Sequence, residues 1–216
     1  MTNSIIKTHV KGHVLIKDGQ TGEILRDKHN AIHNQNMATA IARGLSNFLY
    51  SQATRENQIF ALVLGNGGSS VDSMNQITYL PPNITGTTAR LYNQTYLDFV
   101  DPGSALNVNG NSVSYSASHT DTSSIVVVTM TIPAGLPIGE DATDSPPDPN
   151  FNSTYSFDEL GLMTYGSGQP SFAGGQAGYT AIPSDSLLLT HIIFSPILKT
   201  SNRELVVTYT LTVSVS

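Results

Sequence analysis

The sequence predicts a mainly β protein: an antiparallel β-sandwich with one α-helix in its N-terminal half, at about residues 35–52, and long loops. Three observations point there. Charged residues make up only 12% of the 216-residue chain, against a usual share of ~25%. Ser, Thr, Asn and Gly fill the difference, and they suit strands and turns better than helix faces. Several segments alternate apolar and polar residues or run apolar for the length of a strand, whereas a helical period occurs in one stretch only.

The elements follow in chain order. Segment 4–17, "SIIKTHVKGHVLIK", reads as a strand whose alternation is clearest at Val10, Gly12, Val14 and Ile16. "DGQTG" at 18–22 is a turn, and its glycines can take positive φ. "EILRD" continues as a short strand, so 9–27 forms a hairpin. The period then changes: Met37, Ile41, Leu45, Phe48 and Leu49 fall on one helix face, with Asn34 or Asn36 as the N-terminal cap. "IFALVLG" (59–65) is a continuous apolar run, as in a buried strand. Strands also follow at 111–119, 124–133, 186–198 and 204–215. In the last of these, Val206, Thr208, Thr210 and Thr212 alternate with Val207, Tyr209, Leu211 and Val213, so one face is wet or meets a partner. Three long irregular stretches remain, 66–104, 134–154 and 166–183. Loops of that length in one compact domain, here taken as 1–216, generally have a function.

Composition excludes several function classes. Net charge is -6, and the ten basic residues are dispersed singly. A nucleic-acid or anionic-membrane partner calls for clustered Lys and Arg, so neither is expected. No cysteine is present, which removes disulfides, thiolate metal sites and cysteine nucleophiles. "MTNSIIKTHVKGH" lacks the apolar core of a signal peptide. No apolar run reaches the ~18 residues of a membrane helix.

Five places in the sequence invite a chemical reading. "LGNGG" (64–68) invites comparison with a phosphate loop, but "SSVDSMNQITYL" follows it, with no Lys and no helical period, and the residue three after Gly67 is Ser70. A core strand ending in a tight turn is the better reading. His29 and His33 are spaced for one helix face but lack a third ligand; His9 and His13 sit on a strand, ~13 Å apart. The acidic loop with Glu140, Asp141, Asp144 and Asp148 does not match a calcium loop and reads as solvated. No G-x-S-x-G occurs, and His119 and Asp121 lie among serines too abundant to single out. Asp158 and Glu159 of "FDEL" are adjacent in a strand, so they should point to opposite faces. No catalytic residue, metal ligand or cofactor is therefore assigned.

Five stretches taken together carry a family resemblance: 12–45, "LVLGNGGSSVD" (62–72), "YLPPNITGTTARLYNQTYLDFVD" (79–101), "FDELGLMTYG" (157–166) and 187–215. They resemble virion structural proteins of tailed bacteriophages, especially those with contractile tails, and the pattern is similar to tail-collar and tail-fibre attachment modules. Gly65, Gly67 and Gly68 match the family's turn; Glu159, Gly161 and Leu162 match its "E-x-G-L" strand; Phe194, Pro196 and Lys199 match the penultimate strand and its exit. The chain departs from a whole fibre in having no repetitive shaft and no receptor-binding tip. The resemblance implies a non-enzymatic subunit of a virion assembled in the host cytoplasm. It would form a symmetric homo-oligomeric set at the neck, collar, tail or baseplate and bind other virion proteins and copies of itself. A capsid decoration protein is the alternative in the same class. A particle-borne carbohydrate-binding or glycan-hydrolysing module is the alternative from another class; the absence of Trp counts against sugar stacking.

Within 66–104, Tyr79, Pro81, Pro82, Leu91, Tyr92, Tyr96 and Phe99 are the candidate assembly-interface residues. Tyrosine gives large contact area at low entropy cost, which favours interfaces. Two readings stand side by side: the loop meets a partner, or it packs back on its own domain.

Overall fold

The computed structural model describes residues 8–46, 58–74, 76–117, 123–137, 154–166, 171–172, 180–181 and 185–215. The elements in chain order are β1 (Thr8–Asp18), β2 (Ile24–His29), β3 (Ala31–Ile32), α1 (Asn34–Ser46), β4 (Ile59–Gly65), β5 (Ser69–Val71), β6 (Ile77–Tyr79) and β7 (Gln94–Phe99). There follow β8 (Ser112–Ala117), β9 (Ser123–Ile132), β10 (Thr154–Thr164), β11 (Ser171–Phe172), β12 (Thr180–Ala181), β13 (Leu188–Thr200) and β14 (Leu205–Val215). A first antiparallel sheet runs in the order β2-β1-β14-β9-β8, and a second in the order β3-β13-β10-β4-β7. β5-β6 and β11-β12 form two further antiparallel pairs outside these sheets. The fold is the expected β-sandwich with a single helix among the described residues.

The core lies between the sheets. Val14, Ile16 and Tyr209 of the first sheet meet Leu62, Phe157 and Phe194 of the second in one cluster. β1 and β14 of the first sheet keep strict alternation, whereas β2 slips by one residue beside Ile16 and Lys17: on β1, Val14 and Ile16 are buried, while His13, Leu15 and Lys17 are half-buried on the outer side. On β14, Val207, Tyr209 and Leu211 are buried and Thr208, Thr210 and Thr212 are half-buried. The β1-β2 hairpin closes as its sequence predicts. Gly22 takes φ 73°, and the Asp18 carboxylate accepts the N–H groups of Gln20 and Thr21 at 3.0 and 2.9 Å, an Asx turn.

The helix occupies Asn34–Ser46, and residues 47–52 of the predicted span lie outside the described residues. Of its predicted apolar face, Met37 is buried and Ile41 is exposed. The cap is neither asparagine. His33 Nδ1 accepts the Asn36 N–H at 3.2 Å, and His33 Nε2 donates to the Gly86 carbonyl at 2.8 Å. An imidazole nitrogen thus takes the place usually filled by a side-chain oxygen.

The stretch 66–104 is not the structureless loop expected. It contains β5, β6 and β7, too short or too mixed in pattern to stand out by alternation. Of the predicted loop 134–154, residues 134–137 and Thr154, the first residue of β10, are described, and of 166–183 only Gly166, β11 and β12.

The second sheet departs from simple alternation on β10. Tyr155 and Phe157 face the core, and so do Leu160 and Leu162, a step of three between residues 157 and 160. The register explains it: Phe157 pairs with Ile197, and Glu159 with Ile193. One residue of β10 stands opposite three of β13, a bulge that inverts the side-chain parity of both strands. The disturbed ladder leaves carbonyls of β13 for another donor. The Arg26 guanidinium reaches across from β2 and donates to the Ser195 carbonyl at 2.9 and 2.6 Å and to that of Pro196 at 3.0 Å.

Candidate functional site

The bulge decides where the two acids of "FDEL" go. Asp158 is outward by the parity of Phe157, and Glu159 is outward by the parity of Leu160. Both therefore reach the outer face of the second sheet, correcting the expectation that adjacent strand residues diverge. There they meet the glycine turn after β4. Glu159 Oε1 accepts the N–H of Gly67 at 3.1 Å and of Asn93 at 2.8 Å; its Oε2 accepts the N–H of Tyr92 at 2.9 Å. Asp158 Oδ1 accepts the Gly68 N–H at 2.9 Å, and its Oδ2 accepts the Ser69 N–H at 2.8 Å and hydroxyl at 2.5 Å.

A histidine completes the cluster. His191 on β13 contacts Glu159 Oε2 through Nε2 at 3.0 Å, and both side chains are buried. Its Nδ1 accepts the Asn83 N–H at 2.8 Å, so the proton sits on Nε2 and is donated to Glu159. Burial by itself pushes the Glu159 carboxyl up. The bonds from His191 and from the Asn93 and Tyr92 N–H groups outweigh it and hold the group below the usual carboxylate range.

The glycine turn thus resembles a phosphate loop for a physical reason. Its N–H groups do converge on an anion, as a nest does, but the anion is the chain's own. Glu159 takes four donors and Asp158 three, and both nitrogens of His191 are engaged. The cluster binds three segments together: the turn at 66–69, residues 83–93, and the sheet. Glycine is required here by contact and not by φ. A Cβ on Gly65 would lie 2.2 Å from the Asn93 carbonyl oxygen, and one on Gly67 would lie 2.6 Å from the Asn93 nitrogen.

Above this anchor, the candidate interface residues divide. Leu91, Tyr96 and Phe99 are buried, which corrects their assignment to an interface surface. Tyr96 and Phe99 belong to β7. Tyr96 faces the inter-sheet core, while Phe99 packs on Phe60 in a second cluster on the outer face of the second sheet, which Leu91 helps to cover. Tyr79 and Tyr92 are exposed, at 46% and 42%, and Pro81 and Pro82 are exposed and half-buried. Their backs are fixed to the chain itself: the Tyr79 hydroxyl donates to Ser195 Oγ at 2.9 Å, and the Tyr92 hydroxyl to the Pro81 carbonyl at 2.7 Å. The segment packs on its own domain and still presents an outer surface.

That surface has members the sequence reading missed. Val71, Met74, Ile77 and Leu80 are exposed on or beside the β5-β6 hairpin. With Tyr79 and Tyr92 they make six of the twelve large hydrophobics exposed among the described residues, a concentration within 22 positions that scattered surface residues would not give. The hairpin tip is fixed: Asp72 Oδ1 accepts the N–H groups of Met74 and Gln76, each at 2.8 Å. The signal in the sequence was faint, isolated apolar residues in the polar run "SSVDSMNQITYL".

The other candidates separate in space. His29 stacks edge-on to His13, with ring centroids 5.4 Å apart, while His33 caps α1. His13 Nε2 lies 2.6 Å from Asp27 Oδ1. Among the described residues no group of three or more His, Asp or Glu is placed to hold a metal ion, and no helix is long and apolar enough to cross a membrane. Glu140, Asp141, Asp144, Asp148, His119 and Asp121 lie outside the described residues. Lys199 is buried at the end of β13, where its Nζ donates to the Pro133 carbonyl at 3.0 Å; desolvation lowers its pKa to about 8. Comparisons with protein-family models, with curated proteins and with solved structures find no match.

Proposed function

We propose that this protein is a non-enzymatic assembly subunit, a structural component of a tailed-phage virion that acts at the neck, collar, tail or baseplate in a symmetric set. The single observation that carries the recognition role is the hairpin at 69–80. It exposes Val71, Met74, Ile77, Tyr79 and Leu80 on a backbone held in place by Asp158 and Asp72. Presenting apolar area on a rigid support lowers the entropy cost of association. The virion setting rests on the resemblance of the glycine turn, the "E-x-G-L" strand and the final strand pair. The geometry adds one point in its favour: the residues carrying that resemblance, Gly65, Gly67, Gly68 and Glu159, build the anchor beneath the hairpin.

Quantitative mass spectrometry of purified particles tests the reading. A count of about six to a few dozen per particle supports a position on the tail axis. A count in the hundreds transfers the protein to the capsid surface as a decoration. Absence from particles overturns the reading. A Met74→Asp chain that folds normally yet fails to enter particles identifies the hairpin as the contact.

A further inference from the structure

A sandwich of two open sheets has four edges, and an edge strand invites pairing unless something blocks it. Three of these are blocked. β2 carries Arg26, Asp27 and Lys28 in sequence. β3 is two residues long. On β7 the Phe99 N–H is taken by Asp98 Oδ1 at 2.8 Å, and the Phe99 carbonyl by Asn111 Nδ2 at 2.9 Å. The fourth edge, β8, reads Ser-Val-Ser-Tyr-Ser-Ala. It has no charge and no proline, pairs among the described residues with β9 on one side only, and exposes Ser112, Ser114, Tyr115 and Ser116.

We infer that β8 is a self-pairing edge, at which two copies of this chain join their first sheets antiparallel about a two-fold axis at Ser114. Three features select a second copy as the occupant. An uncharged strand meets its own copy without repulsion. The alternation is self-complementary: with Ser114 facing Ser114, Val113 of each copy lies opposite Tyr115 of the other, an aromatic against a β-branched residue. Finally, Val113 lines an apolar opening of about 460 Å³ at the mouth of the sandwich, together with Met37, Ile59, Val126 and Leu211. Tyr115, 80% exposed in the single chain, is carried by this register to the rim of its copy's opening. Each copy thus covers the apolar mouth of the other. The contact is isologous and separate from the β5-β6 hairpin, so it does not depend on the virion reading.

The absence of native cysteine permits a register-specific test. Ser114→Cys places a single thiol opposite itself, and mild oxidation is expected to give a covalent dimer. Ser112→Cys is expected to give none, because its copies lie about 14 Å apart along the paired strands, beyond disulfide reach. In sedimentation equilibrium of the unmodified chain at micromolar concentrations, twice the chain mass is expected. Tyr115→Lys and Ser114→Lys, both on exposed positions, should weaken the dimer at least tenfold, with unfolding midpoints unchanged at concentrations low enough for every chain to be monomeric, while Met74→Asp leaves it intact. A monomer throughout, a dimer indifferent to both lysines, or equal crosslinking at 112 and 114 overturns the inference. Particle counting and sedimentation can each fail without the other.

Discussion

The two sheets of this sandwich solve burial differently. The first is dry on one side only; its outer side carries Thr and Ser of β14, β9 and β8 and His13 and Lys17 of β1, with Leu15 and Val127 half-buried among them. Its strands need nothing beyond each other and the core. The second sheet is covered on both sides. Leu62 and Leu64 face the inter-sheet core, while Ala61 and Val63 face a second cluster closed by Ala89 and Leu91. A doubly buried sheet needs a cover, and a cover made of irregular chain brings polar backbone groups that must be satisfied. The carboxylates of Asp158 and Glu159 do that. Two acids that look like chemistry in a list of residues are here the fastening of a lid segment.

If that contrast holds, substitutions in the second sheet's fastening should cost far more than those on the first sheet's outer face. The largest expected effect is Glu159→Ala. It strands four donors in a buried place and should destabilise by about 3–5 kcal/mol in denaturant unfolding; a loss under about 1 kcal/mol would break the comparison. Next comes Leu91→Ala, expected at about 2–3 kcal/mol because the leucine is only 6% exposed. A small loss there would mean that the 80–93 segment is not part of the cooperative fold.

Acid should act on both sheets through different groups. Glu159 is held below the usual carboxylate range. The unfolded chain therefore takes up the proton first, and the stabilisation present at neutral pH is lost as pH falls through the folded pKa. On the first sheet, Asp18 is lowered from 3.8 to about 2, chiefly by the Thr21 N–H and then by Arg203, against desolvation. Its contribution fades between those two values. Urea midpoints from pH 7 to 2 should fall for the unaltered chain and fall less for Glu159→Gln and for Asp18→Asn. Equal slopes would remove both groups from the account.

The smallest effects belong to exposed positions. Thr210→Val on the first sheet's outer face and Met74→Asp on the hairpin should each change stability by no more than ~0.5 kcal/mol. Only Met74→Asp should alter recognition. A large stability loss at Thr210 would show that the outer face is packed against something, contrary to its half-buried state in the single chain.

Much of this was legible in the sequence. The alternation at Val10, Gly12, Val14 and Ile16, the Thr-bearing final strand, the apolar "IFALVLG" run and the single helical period each determined an element, because side-chain direction repeats within one strand or one helix. The turn at 18–22 was equally local. The seven interface candidates show the limit. Tyr79 and Tyr92 lie at the surface while Tyr96 and Phe99 are buried, and nothing in residue type distinguishes them; β7 pairs with β4, about 30 residues earlier, and that pairing alone decides. The direction of Asp158 and Glu159 was beyond local reading for the same reason. A bulge is set by register between strands distant in sequence, Phe157 with Ile197 and Glu159 with Ile193. Such an irregularity turns the side chains that follow it to the opposite face. The sequence determined which segments would be strands and which of their faces could be dry. Only the tertiary pairing decided which polar groups those faces would hold, because that depends on contacts the chain makes with itself at long range.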